Sequence, residues 1–105
     1  MKYIFLEKHG SNSDPLYKEY LYFITDDKNF DYSTLSNNQK KLIHFKICVP
    51  ESDCSNILNS FNHNSPKNYE STFGNIYSYI LDNNLFEQSF FKFTIDDNNK
   101  VIKAE

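Results

Sequence analysis

Apolar residues in this chain fall into short runs near both ends and wider-spaced stripes in the middle. In residues 2–8, Tyr3 and Phe5 lie on one side of an extended backbone and Ile4 and Leu6 on the other. A strand that is apolar on both faces belongs inside a sheet, not at its edge. Residues 9–15, His-Gly-Ser-Asn-Ser-Asp-Pro, are turn formers.

Residues 16–25 satisfy two patterns. Leu16, Tyr17, Tyr20, Leu21 and Ile24 fit a helical stripe behind an Asp14-Pro15 start. The run 20–25, rich in aromatic and β-branched side chains, favours a strand, and we read a strand that pairs with the first. Residues 26–41 are polar and form a long connection with a helical turn at 36–41. Ile43, Phe45, Ile47 and Val49 alternate with His44 and Lys46, which predicts a strand over 42–49 with one buried face. Pro50 cannot donate to a ladder and ends it.

Two helices are expected next. Cys54, Ile57, Leu58 and Phe61 stand at i, i+3, i+4 and i+7 behind Ser52 or Asp53 as cap. After the break at Asn62-His63-Asn64, Ser65 and Pro66 open a second helix that runs to about Asp82. Its stripe is Tyr69, Phe73, Ile76, Tyr77, Ile80 and Leu81, predicted to pack on the face carrying Phe45 and Ile47. Asn83-Asn84 can close it in the left-handed conformation. Residues 90–95 and 100–104 are then a hairpin around Asp96-Asp97-Asn98-Asn99. The order β-β-β-α-α-β-β groups strands at both ends, which predicts an α+β fold. The expected architecture is an antiparallel or mixed sheet of about five strands with two central helices on one face. The chain, residues 1–105, is read as a single domain, because two cores would each be too small to hold.

Composition sharpens this picture. Aromatics are 17% of the chain, which argues against disorder and compensates for a hydrophobic fraction of 39%. All eleven basic residues are Lys. Asn, Lys, Ile, Tyr and Phe, all with AT-rich codons, make up half of the sequence, so an individual Asn or Tyr says little about function. The net charge of −3 and the lack of Arg count against a general nucleic-acid binder. No run approaches the ~18 apolar residues of a membrane span. Two cysteines, Cys48 and Cys54, are fewer than a secreted domain of this size tends to carry. We therefore expect reduced thiols and a cytoplasmic protein.

Candidate chemistry is sparse. Asp27, Asn29 and Asp31 occupy the first three ligand positions of an EF-hand loop, but Tyr32 stands where Gly is required and Asn38 where a bidentate Glu is required. The C-x5-C spacing fits no common zinc module. With glycine only at positions 10 and 74, no phosphate-cradling loop can form. His9, His44 and His63 invite a metal-free ribonuclease reading, and Phe91-Lys92-Phe93 an RNA-stacking strand. Both stand as alternatives. No catalytic residue, cofactor or metal is assigned, and an enzyme is not expected.

The remaining class is protein binding. Acidic residues cluster at Asp26, Asp27 and Asp31, at Glu51 and Asp53, and at Asp96 and Asp97. Such clusters on one side of a fold steer a basic partner. The leading expectation is a bacterial immunity protein or antitoxin that inhibits a basic toxin, such as a nuclease, by direct binding. A phage-encoded inhibitor of a host defence protein would have the same features.

Overall fold

A computed structural model of the chain describes residues 1–10, 16–48, 50, 52, 54 and 67–105. Five strands, β1 (Lys2–Lys8), β2 (Tyr17–Thr25), β3 (Lys41–Lys46), β4 (Phe90–Ile95) and β5 (Val101–Ala104), form one antiparallel sheet in the order β3-β2-β1-β4-β5. One helix, α1 (Glu70–Asp82), packs on it. The doubly apolar β1 occupies the centre, paired with β2 through Phe5↔Phe23 and with β4 through Leu6↔Phe91. The ambiguous segment 16–25 is a strand because its pairing demand is met on both sides, by β1 and by β3 through Tyr20↔Ile43.

The expectation of two central helices is corrected. Among the described residues α1 is the only α-helix, and the order is β-β-β-α-β-β. The stripe assigned to the first helix begins at Cys54, whose side chain is instead bonded to Cys48 just beyond β3. The bridge brings the two Cα atoms within 5.7 Å, so Cys54 is tied back to the strand end. Ile57, Leu58 and Phe61, together with the caps Asp53, Ser65 and Pro66, lie outside the described residues, as do Asp14, Pro15 and Val49. The surviving helix is also shorter than expected: a 3₁₀ turn at Lys67–Tyr69 precedes it.

The helix-side core follows the predicted stripe. Phe73, Ile76, Tyr77 and Ile80 are buried against Ile4, Leu6, Tyr20, Tyr22, Ile43, Phe45, Phe91, Phe93 and Ile95. Phe73 meets Tyr22 edge-on at 5.0 Å, and Tyr77 meets Phe45 edge-on at 5.9 Å, geometries favoured by ring quadrupoles. At its end, Asn84 takes φ +55°. The Leu85 N–H then reaches the Ile80 carbonyl at 2.9 Å and the Asn84 N–H the Leu81 carbonyl at 3.2 Å. These two bonds satisfy carbonyls that the helix end would otherwise orphan. The Tyr77 hydroxyl donates to the Lys46 carbonyl at 2.7 Å and accepts from the Cys48 N–H at 3.0 Å, clamping the end of β3 to the helix.

The polar connection between β2 and β3 is more than a link. It crosses the sheet face opposite α1 and lays aromatic rings on it. Phe30 stacks on Phe23 at 4.9 Å, and Tyr32 lies 5.1 Å from Phe5 and 5.2 Å from Phe90. The Tyr32 hydroxyl donates to Glu7 Oε1 at 2.8 Å, and Lys40 Nζ stands 3.3 Å from the same oxygen. The expected helical turn at 36–41 is a 3₁₀ turn, Asn37–Gln39, and a second one stands at Tyr32–Thr34.

Burial sets an alkaline limit on this fold. Tyr20 donates to the Phe86 carbonyl at 3.3 Å. Burial, with a smaller contribution from nearby Glu87, pushes its hydroxyl up from 10.0 to about 12, and burial alone raises Tyr22. Below pH 10 the folded and unfolded chains hold this proton equally, so Tyr20 adds no pH dependence. Between 10 and about 12 the unfolded chain gives it up first, and stability falls as pH rises. Tyrosinate absorbance should therefore develop in this window together with loss of the folded circular dichroism signal. A full tyrosine titration near pH 10 with the fold intact would contradict the buried placement.

Candidate functional site

Strand order decides where the acidic clusters lie. β2 and β4 both run antiparallel to β1, so both end where β1 begins. Asp26 and Asp27 follow β2, and Asp96 and Asp97 follow β4. The two pairs therefore share one end of the sheet, two strand spacings or roughly 10 Å apart across β1. Each loop is held by its own carboxylates. Asp27 Oδ1 accepts from the Asn29 N–H at 3.0 Å; Asp96 Oδ1 accepts from the Asn98 and Lys100 N–H groups at 2.8 and 2.9 Å. Asp97 is 95% exposed and stands 3.5 Å from the Met1 ammonium.

Asp31 is not part of this group. The connection carries it away between Phe30 and Tyr32, and it caps a 3₁₀ turn by accepting from the Ser33 hydroxyl and N–H. Those bonds lower its pKa. Glu51 and Asp53 lie outside the described residues. The partial EF-hand pattern is split in the same way: Asp27 and Asp31 turn to their own backbone, and the Phe30 ring between them faces the sheet. Among the described residues, no group of three or more His, Cys, Asp or Glu side chains could hold a metal ion.

The expected free thiols are corrected, since Cys48 and Cys54 are bonded to each other. Spacing alone could not reveal this, because two cysteines six apart close a bridge only if the chain doubles back between them. Phe91 and Phe93, proposed as stacking residues, are buried beneath α1 and have no open ring face. His63 lies outside the described residues.

His9 and His44 fall in one cross-strand row with Glu19 between them. The His9 N–H donates to the Glu19 carbonyl at 2.9 Å, Glu19 is paired with His44, and His44 Nε2 is 2.9 Å from Glu19 Oε1. Sequence reasoning missed this row because it needs the register of three strands at once.

A second feature on the same face also escaped the sequence reading. The 26–40 connection covers β1 and β2 but leaves open a shallow concavity of about 380 Å³ toward β4 and β5, lined by Tyr3, Lys28, Lys92, Thr94, Lys103 and Glu105 among others. Lys92 Nζ lies over the Tyr3 ring at 5.5 Å and donates to the Lys28 carbonyl at 3.1 Å. Alternation predicts which way Lys92 points, but only the strand order brings Lys28 and Lys103 beside it.

No helix among the described residues is long and apolar enough to cross a membrane. Set against protein-family models, curated proteins and solved structures, the chain matches none of them.

Proposed function

We propose that this chain works by binding another protein, and that it neutralises a basic toxin, such as a nuclease, in the manner of an immunity protein or antitoxin. The observation that supports this reading is the convergence of Asp26-Asp27 and Asp96-Asp97 at one end of the sheet, on loops fixed by their own hydrogen bonds. Preset acidic loops attract a cationic surface at long range and need little ordering when it docks. The reading is of a binding protein, not an enzyme.

The test pairs Asp26→Lys with Asp97→Lys, which spares the carboxylates of Asp27 and Asp96 that hold the turns. Stability should stay within about 0.5 kcal/mol. Capture of a basic protein from a lysate of the native organism should weaken by about 2 kcal/mol or more, or ~30-fold, and association should slow steeply with salt. Capture of RNA alone, or of no protein at all, would sink the reading.

A cytoplasmic site of action belongs to the same proposal, and the Cys48–Cys54 bridge weighs against it, because disulfides persist mainly in oxidising compartments. Thiol labelling on lysis of the cells directly into denaturant, which exposes the buried Cys48, decides the matter. Two labelled cysteines place it in a reducing compartment with the bridge open; none places it in an oxidising one.

A further inference from the structure

The open concavity on the face away from α1 carries a charge opposite to that of the whole chain. Lys28, Lys92 and Lys103 line a hollow whose lining holds one acidic side chain, Glu105, in a molecule of net charge −3. We propose that this hollow binds a phosphate group, free or carried by a small ester.

Three observations select that chemistry. First, the cations come from three separate elements: the 26–40 connection, β4 and the end strand β5. They therefore line the hollow from three elements instead of from a single strand. Second, they are ammonium groups, which can hold a phosphate as point charges. Third, the ring in the hollow is not open for stacking. Tyr3 is only 9% exposed and Lys92 lies over it, which disfavours recognition of a nucleobase.

The present partners of these lysines can be exchanged. Lys103 Nζ is 2.7 Å from Glu105 Oε1, and both side chains are more than half exposed, so the pair contributes little and opens readily. Lys92 donates to a backbone carbonyl and retains further donors for an incoming oxygen. Thr94 adds a hydroxyl to the lining.

The experiment titrates the intact protein with inorganic phosphate and, separately, with glycerol phosphate at constant ionic strength, followed by amide NMR shifts. Saturable shifts should map to Tyr3, Lys28, Lys92, Thr94 and Lys103. Tighter binding of one titrant identifies whether the group arrives free or as an ester. Lys103→Gln and Lys92→Gln should each weaken binding ~10-fold, the scale of one charge-assisted contact. Lys18→Gln, near the opposite end of the sheet, should not change it. Melting curves confirm that each variant is folded, and Lys103→Gln on the exposed edge serves if Lys92→Gln is not. Linear shifts reproduced by chloride overturn the proposal, as do equal affinities for wild type and Lys103→Gln. So does affinity that grows with the length of an oligouridylate, which would make the hollow part of a nucleic-acid surface. None of these outcomes depends on the capture of a toxin.

Discussion

Phe73→Ala should unfold the protein or bring it close to unfolding. Phe73 is fully buried, edge-on to Tyr22 and 6.5 Å from Phe45. Removing a buried ring costs about 3–5 kcal/mol in transfer and cavity terms, against a total of about 5–15 kcal/mol for a domain of ordinary stability. The ring sits where α1 meets β2 and β3, so neighbouring side chains cannot collapse into the space without moving the helix. Urea denaturation of the variant should show a midpoint far below that of the wild type with an unchanged slope. A midpoint within error of the wild type would mean that α1 does not pack as described.

Tyr32→Ala should cost about 3 kcal/mol, although it lies in a segment with no regular strand or α-helix. The substitution removes ring contacts to Phe5 and Phe90, the hydroxyl bond to Glu7 and the ring beneath Lys40 Nζ, 4.6 Å from its centroid. It also leaves the part-buried Glu7 carboxylate with Lys40 alone. Tyr32→Phe separates these effects: it keeps the ring and should cost about 1–2 kcal/mol. Thermal denaturation of both variants checks the order. If Tyr32→Ala is neutral, the connection does not cover the sheet.

Most of the sheet was legible because its signal is local. The runs at 3–6, 42–49 and 90–95 are apolar throughout or alternate, and each falls in or holds a strand, although β3 ends at Lys46 and not at Val49. Even the ambiguous segment 16–25 yields to its β-branched and aromatic content. The aromatic cover escaped notice because Phe30 and Tyr32 are single rings in a polar stretch, with no period to reveal them. The extra helix was inferred from four residues, one of which is used by the disulfide. The acidic loops could be recognised from their turn residues. Their meeting at one end could not, because it depends on β1 lying between β2 and β4, a long-range pairing that no local pattern encodes. The lysine-lined hollow and the His9–Glu19–His44 row depend on strand order in the same way.

The central place of β1 also shapes how the chain folds. Its β2 side can zip early, since the paired Lys8 and Tyr20 stand only twelve positions apart in the chain. Its other side must wait for β4, whose Phe91 pairs with Leu6 across almost the whole sequence. Closing so long a loop carries an entropy cost that local helix or hairpin formation does not, and folds dominated by such pairings fold slowly. Until β4 arrives, one edge of the central, doubly apolar strand is unpaired, an aggregation hazard for any nascent or truncated chain.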